Sequence, residues 1–136
     1  MYALIIDDSR AMRRILRQIV EPLGFSILEA GDGQQGLDQL EQNWPGIELT
    51  LVDWNMPVMN GLDFVKAVRA NDQYRHMKLM MVTTETESAQ MARALMAGVD
   101  EFVMKPFTSE ILVEKLRLIG VQMRRLSNLA FRENAE

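Results

Sequence analysis

The chain contains no cysteine, and this absence excludes several kinds of chemistry at once. Disulfide bonds, thiolate metal sites and thiol nucleophiles are all ruled out, and a reducing compartment is compatible with the sequence. The N-terminus lacks the basic region and the small-residue cleavage site of an export signal. No apolar run approaches the roughly 18 consecutive residues that a membrane-spanning helix needs. We therefore expect a soluble, cytoplasmic protein without membrane insertion.

A basic cluster is also lacking beyond the pair Arg124 and Arg125, and the formal net charge is −4. Such a charge balance provides no positively charged surface for the phosphate backbone of a nucleic acid, so direct binding of nucleic acid is not expected. The composition is that of an ordinary globular protein, with 136 residues, 48% hydrophobic and 25% charged side chains. This length suffices to bury one core without disulfides or structural metal.

Short apolar runs alternate with longer segments of helical period, which is typical of a parallel β-sheet connected by crossover helices. The first run is almost entirely apolar, as in strands that are covered on both faces of a sheet. Five runs are predicted as strands, at residues 2–6, 25–28, 47–52, 77–82 and 101–104. The pattern indicates an α/β fold with five strand–helix units.

Each predicted strand is followed by a helix whose apolar residues recur at spacings of three and four. The first helix begins after Ser9, which is a suitable N-cap. The other helices are predicted at about residues 34–42, 62–70, 88–97 and 109–119. The apolar stripe of the last helix continues to Met123 and Leu126, although Gly120 interrupts it.

Polar side chains follow four of the five predicted strands, at the point where each strand ends. They are Asp7 and Asp8 after the first strand, Asp53 after the third, Thr83 after the fourth and Lys105 after the fifth. In an open parallel sheet these ends share one edge, where ligands bind near the reversal of strand order. Each residue alone has an ordinary explanation as a helix cap, a turn residue or a solvated lysine. Together they predict a functional site.

Three carboxylates at one edge of a sheet repel one another unless a cation lies among them. The candidate ligands are oxygens without a nearby histidine or cysteine, which favours a hard cation such as Mg²⁺ over zinc. With Mg²⁺ bound, the ammonium group of Lys105 would help to neutralise a dianionic group that arrives at Asp53, and Thr83 offers a hydroxyl donor. These are the components that phosphoryl transfer requires.

The same residues and their neighbours resemble response-regulator receiver domains of the CheY type. The resemblance rests on Asp7 and Asp8, the segment LVDWNMPVMNG at residues 51–61, Thr83, and the segment FVMKPF at residues 102–107. It extends over almost the whole chain, to about Ile119. It implies a three-layer flavodoxin-like (βα)5 fold, with a parallel five-stranded sheet in the order 2-1-3-4-5.

The resemblance also implies roles for individual residues. Asp53 would accept a phosphoryl group from the phosphohistidine of a histidine kinase or a phosphotransfer protein. Asp8, Asp53 and the backbone carbonyl of Asn55 would bind Mg²⁺ directly, whereas Asp7 would act through water. Lys105 would pair with the phosphoryl oxygens.

Further expectations that come from the resemblance concern the switch and its duration. Thr83 would close on the phosphoryl group while Phe102 swings inward, a two-state change driven by an electrostatic event. The Lys105–Pro106 peptide bond would be cis, which suits a tight turn that aims the lysine into the site. Asn55 and Glu85 match positions that modulate the lifetime of the phosphoryl group. They resemble chemotaxis members, so we predict that the phosphorylated state decays within minutes or faster.

The resemblance identifies a two-component response regulator, a phosphoacceptor switch that assists its own phosphorylation and dephosphorylation and is not an enzyme. Its output would be binding of a downstream protein through the face of helix four, strand five and helix five, in a chemotaxis-like role. Helix four carries Met91, Leu95 and Met96, and we interpret at least two of these as core contacts. His76 is expected at the surface rather than in a phosphoryl relay.

An alternative is that the chain is the receiver half of a longer response regulator that controls a transcriptional or enzymatic effector domain. The apolar stripe that reaches Leu126 would then begin a linker helix. A phosphatase with an aspartyl intermediate is disfavoured, because Asn55 stands where a general acid would follow Asp53. We expect a receiver domain at residues 1–126, a flexible tail at residues 127–136, and a monomer or weak dimer.

Overall fold

The computed structural model describes residues 1–84, 87–121 and 123. Strands and helices alternate along the chain in the predicted order. The strands are β1 (Tyr2–Ile6), β2 (Ser26–Ala30), β3 (Ile47–Val52), β4 (Lys78–Thr83) and β5 (Glu101–Met104). The helices are α1 (Arg10–Val20), α2 (Gly33–Asn43), α3 (Gly61–Arg69), α4 (Ser88–Ala97) and α5 (Ser109–Leu118). Two short 3₁₀ turns, Glu21–Leu23 and Asp72–Tyr74, follow α1 and α3.

The five strands form one parallel sheet in the order β2-β1-β3-β4-β5. The inner strands are apolar along nearly their whole length because both faces of the sheet are covered. On one face α1 and α5 contribute Leu16 and Leu116 to the core, and on the other α2 and α3 contribute Leu40 and Phe64. The predicted three-layer α/β fold and its strand order are confirmed.

Four of the helices begin at a polar side chain that caps their first turn. The capping oxygens accept hydrogen bonds of 2.8–3.2 Å from the backbone N–H three residues later, and they belong to Ser9, Asp32, Asn60 and Thr108. Each such cap contributes about 1 kcal/mol to stability. The caps also fix the loops between strands and helices, which is where the functional side chains lie.

Two strand boundaries differ from the prediction. β2 covers Ser26–Ala30 rather than residues 25–28, because this edge strand continues through Glu29, whose carboxylate binds arginines of α1. β4 covers Lys78–Thr83 rather than residues 77–82, and Thr83 pairs with Met104 in the sheet. Apolar runs therefore locate buried segments well, but they misplace a boundary where a polar residue is paired in the sheet.

Two peptide bonds that precede proline are cis, at Trp44–Pro45 and Lys105–Pro106. The second confirms the expectation drawn from the resemblance. The first was not predicted from the sequence. The ring of Trp44 packs edge-on against Tyr74, with centroids 4.7 Å apart.

The outer face of α4 is more apolar than expected. Leu95 and Met96 are 49% and 89% exposed, and Met91 is only partly buried. The interpretation of at least two of these residues as core contacts is therefore wrong. The helix packs on its neighbours through the small Ala94, so its larger side chains point away from the core.

The chain after α5 still contributes to the core. Val121 and Met123 are buried beside residues of α1 and α5. Leu126 and the tail predicted at residues 127–136 lie outside the described residues. In the part of the chain that the structure describes, no helix has both the length and the apolar character to cross a membrane.

Candidate functional site

The polar residues at the ends of β1, β3, β4 and β5 meet at the carboxyl edge of the sheet, as predicted. The backbone hydrogen bonds between neighbouring strands continue as far as this edge. The N–H of Asp53 donates to Ile6 O at 3.0 Å, and that of Lys105 donates to Thr83 O at 2.9 Å. The functional residues therefore stand on rigid strand ends rather than on free loops.

Three carboxylates converge at the point where the strand order reverses, between β1 and β3. Asp7, Asp8 and Asp53 each offer an oxygen, and these oxygens lie within 4.8 Å of one another. Asp7 and Asp53 are buried, whereas Asp8 is exposed. Such an all-oxygen donor set suits a hard divalent cation that keeps several of its waters. The residues present therefore fit Mg²⁺, and they lack the nitrogen and sulfur ligands typical of zinc.

Lys105 supplies the positive charge of this cluster. Its Nζ lies 2.8 Å from Asp7 Oδ2 and 3.4 Å from Asp53 Oδ2, and its side chain is 13% exposed. One ammonium group faces three carboxylates, so negative charge remains in excess. This excess favours the entry of a divalent cation.

The environment of Asp53 disfavours its ionised form. Burial raises the pKa of this carboxyl group above its ordinary value; Lys105 opposes the rise and the charge of Asp7 adds to it. Hydrogen bonds from the N–H of Trp54 and the hydroxyl of Thr83 lower the pKa in part, and the Trp54 nitrogen lies 2.8 Å from Oδ1. The positive charge of a bound cation would favour the ionised carboxylate and so oppose the effect of burial on the pKa.

Asp7 is held at every polar atom. Its Oδ1 accepts from the N–H of Ser9 at 2.9 Å, and its Oδ2 accepts from Lys105. Its own N–H donates to Ala30 O at 3.1 Å, and its carbonyl oxygen accepts from Nη1 of Arg13 at 2.6 Å. Both carboxylate oxygens of Asp7 are thus hydrogen-bonded, and its contact with Lys105 is shorter than that of Asp53, at 2.8 Å against 3.4 Å. Asp8, which is exposed, is the most accessible carboxylate of the three.

The remaining predicted residues lie outside the carboxylate cluster, and one of them lies outside the described residues. Asn55 is exposed on the loop that follows Asp53. Phe102 is partly buried and packs against the core on the face of α2, α3 and α4. Glu85 lies outside the described residues. His76 is exposed, which confirms its predicted place at the surface.

A basic group on α1 was not predicted from the sequence. A cleft of about 350 Å³ is lined by Arg10, Arg13, Arg14, Arg17 and Glu29. The statement that no basic cluster exists apart from the C-terminal arginine pair is therefore wrong. The contacts of Arg13 and Arg17 with Glu29 bring this group to the edge of the sheet, and they depend on the fold. Arg13 is the member of this group that reaches the site itself.

A doubly wound parallel sheet with an acidic, lysine-paired cluster at its switch point defines the class of protein. The chain matches the response regulator receiver domain over residues 3–117. It is 42% identical over 120 residues to the chemotaxis protein CheY1 of Helicobacter pylori, which covers 88% of this chain and 96% of that protein. It is 45% identical over 117 residues to a chemotaxis protein CheY homolog of Campylobacter jejuni, covering 85% and 89%.

A solved structure agrees with these relatives. The chemotaxis response regulator CheY4 of Vibrio cholerae superimposes with a TM-score of 0.79 at 31% identity, covering 87% of this chain and 97% of that one. The chain therefore belongs to the response regulator receiver domain family. The resemblance derived from the sequence is confirmed, and the CheY-like interpretation is favoured over the receiver half of a longer regulator. Receiver domains of this kind are signalling switches rather than enzymes in the ordinary sense.

Proposed function

We propose that this chain is a CheY-like response regulator in which Asp53 accepts a phosphoryl group with the help of Mg²⁺. One observation carries the proposal: the buried carboxylate of Asp53 faces the partly buried ammonium group of Lys105 and two further carboxylates at the carboxyl edge of the sheet. A carboxylate oxygen of Asp53 attacks phosphorus, the bond from phosphorus to the donor's imidazole nitrogen breaks, and an aspartyl phosphate forms. The donor is a histidine kinase or a phosphotransfer protein.

The metal ligands proposed are Asp8, Asp53 and the backbone carbonyl of Asn55, with Asp7 acting through water. The hydrogen bonds of Asp7 support its indirect role, because both of its carboxylate oxygens already have donors. The exposure of Asp8 supports a direct role, since an ion that keeps several waters needs an accessible ligand. When bound, the ion supplies positive charge to the incoming phosphoryl group.

The chain's own residues orient the nucleophile. The N–H of Trp54 fixes the plane of the Asp53 carboxylate through Oδ1, while Oδ2 faces Lys105. Lys105 is positioned to transfer its contact from these carboxylates to the phosphoryl oxygens. The aspartyl phosphate would thus form inside a hydrogen-bonding framework that already exists.

The switch that follows is proposed to involve Thr83 and Phe102. The hydroxyl of Thr83 lowers the pKa of the Asp53 carboxyl group, which supports a role for this hydroxyl in sensing a phosphoryl group on Asp53. Phe102 is only partly buried on the edge strand β5, which supports a side chain that can move further inward. The lifetime of the phosphorylated state would be set in part by Asn55 and Glu85.

The output surface proposed is the face of α4, β5 and α5. Large apolar side chains are exposed on its two helices, and they are Leu95, Met96, Ile111 and Leu118. Exposed apolar groups of this kind suit docking of a downstream protein. The relatives named as chemotaxis proteins favour a chemotaxis-like role in the cytoplasm. The protein would act as a monomer or weak dimer.

The test is phosphorylation of the purified chain by a small-molecule phosphodonor with Mg²⁺, followed by mapping of the modified residue by mass. We expect one phosphoryl group on Asp53. Phosphorylation should not occur when Mg²⁺ is chelated, nor in Asp53→Asn. Asp63→Asn, at an exposed aspartate of α3, is the matched control and should be phosphorylated normally. Phosphorylation that persists in Asp53→Asn would contradict the proposal, and decay over many hours would contradict the predicted short lifetime.

A further inference from the structure

Arg13 connects the acidic cluster to the edge of the sheet. The residue lies one turn into α1, and its guanidinium group is mostly buried, with 18% of the side chain exposed. Nη1 donates to the backbone carbonyl of Asp7 at 2.6 Å, and Nε donates to Glu29 Oε1 at 2.9 Å. One side chain thus bridges α1, the end of β1 and the edge strand β2.

Glu29 holds this bridge in place. It lies next to Ile5 in the register of β1 and β2, one residue before the end of β2. Its second oxygen accepts from Nε and Nη2 of Arg17 at 3.1 and 2.7 Å. Burial alone would raise the pKa of Glu29, but the hydrogen bonds from Arg17 and Arg13 outweigh it and lower the pKa. The carboxylate therefore stays ionised and keeps both guanidinium groups oriented.

The atom that Arg13 contacts determines its effect on the site. The carbonyl of Asp7 belongs to the peptide group that joins Asp7 to Asp8, and peptide groups are planar. A hydrogen bond to this carbonyl oxygen restrains the peptide plane, and with it the position of the Asp8 Cα atom from which the side chain departs. Asp8 itself is exposed.

We propose that Arg13, held by Glu29, is a positioning residue that aims the Asp8 carboxylate at the divalent cation. The inference rests on the metal site proposed above. Residues that orient ligands without touching the ion typically change metal affinity by about 10- to 100-fold. Arg13 thus supports a metal ligand without contacting the ion, and it belongs to α1, a helix that provides none of the proposed ligands.

Charge and geometry make opposite predictions for this arginine, which allows the two to be separated. A positive charge near the cluster repels a cation. If Arg13 acted through its charge alone, its removal would therefore tighten Mg²⁺ binding. Removing a positioning contact would weaken Mg²⁺ binding instead. Arg14 is the matched control, because it is exposed, carries the same charge and follows Arg13 directly on α1.

The experiment is calorimetric titration of the unphosphorylated full chain with Mg²⁺, for wild type, Arg13→Ala, Arg13→Lys, Glu29→Gln and Arg14→Ala. We expect Arg13→Ala to weaken binding by about 10-fold, and Arg14→Ala to leave it unchanged or slightly tighter. Arg13→Lys should recover part of the loss, because an ammonium group can still donate to the Asp7 carbonyl. Glu29→Gln should weaken binding as well, although loss of its negative charge acts in the same direction. Arg13→Lys keeps the charge, so any weakening in that variant comes from geometry, and it decides the question if Arg13→Ala does not fold.

Stability is measured separately by urea unfolding without metal. A loss of stability in Arg13→Ala with unchanged Mg²⁺ affinity would overturn the inference, and so would equal affinities in all five proteins. Failure of the wild type itself to bind Mg²⁺ would instead contradict the proposed metal site. A loss of affinity confined to the Arg13 and Glu29 variants supports the positioning role.

Discussion

Val58 has the backbone conformation that is least suited to its side chain. Its φ is 68°, and it is the one residue other than glycine with positive φ in the described part of the chain. The N–H of Met59 donates to Pro57 O at 2.7 Å, so Val58 is the central residue of a γ-turn. Such turns with positive φ are rare and strained, the more so for a β-branched residue. Val58 is 83% exposed, so little burial compensates for the strain.

Replacement of Val58 by asparagine should therefore stabilise the protein. Asparagine tolerates positive φ much better than valine, and relief of this kind of strain amounts to about 1 kcal/mol or more. We expect the free energy of unfolding, measured with urea, to rise by about 1 kcal/mol. Val58→Ile keeps the β-branch and is the control that should change little. A decrease in Val58→Asn would mean that the valine side chain makes a stabilising contact that outweighs the strain.

At the scale of elements, the loop from β3 to α3 determines how Asp53 is presented. The loop begins at Asp53, directly after β3, and its end packs back against its start: the N–H of Gly61 donates to Trp54 O at 2.8 Å. A Cβ atom at Gly61 would collide with the backbone carbonyl of Asp53. The first residue of α3 is thus pressed against the main chain of the phosphoacceptor, and only glycine fits this close approach.

Gly61→Ala should displace Asp53, since a clash with backbone cannot be relieved by rotation of a side chain. We expect a loss of at least about 2 kcal/mol in the free energy of unfolding, with weaker Mg²⁺ binding in the molecules that remain folded. Gly31→Ala is the control, because its Cβ would make only ordinary contacts with the ends of two side chains, those of Gln35 at 3.4 Å and Arg13 at 4.0 Å. Equal stability of the two variants would show that the β3–α3 loop adjusts freely.

The sequence predicted elements better than it predicted contacts between them. β1, β3 and β5 have their predicted bounds because their runs are apolar and end at polar residues of the site. Glu29 was left outside β2 because its partners, Arg13 and Arg17, are distant in sequence and come together only in the folded chain. The exposed face of α4 was misinterpreted for a related reason: periodicity does not tell how close a helix lies to its neighbours.

The candidate site was predictable to a similar extent. Parallel strands bring their carboxyl ends to one edge, so the convergence of Asp7, Asp8 and Asp53 followed from their positions at strand ends. Lys105, which pairs with two of these carboxylates, was predicted, but the backbone N–H groups of Ser9 and Trp54 and the side chain of Arg13 were not. Such contacts depend on loop geometry, which composition and periodicity do not predict.

At the scale of the whole molecule, the core extends past the last helix. Gly120 adopts a φ of 88°, and the two described residues beyond it with side chains in the core are Val121 and Met123, each 6% exposed. They pack with α1 and α5, the helices that cover one face of the sheet. The core therefore includes residues that follow α5.

Truncation tests where the domain proposed at residues 1–126 ends. Burial of a valine or methionine side chain contributes about 1.5–3 kcal/mol, so a chain ending at residue 120 should lose about 3–6 kcal/mol relative to one ending at residue 126. That loss is a large part of the roughly 5–15 kcal/mol that keeps a domain folded. The chain ending at residue 126 should unfold at the same urea concentration as the full chain, and Val121→Ala with Met123→Ala in the full chain should reproduce most of the loss.

Equal stability of the chains ending at residues 120 and 126 would contradict the contribution of Val121 and Met123. A full chain more stable than the one ending at residue 126 would place the boundary further along.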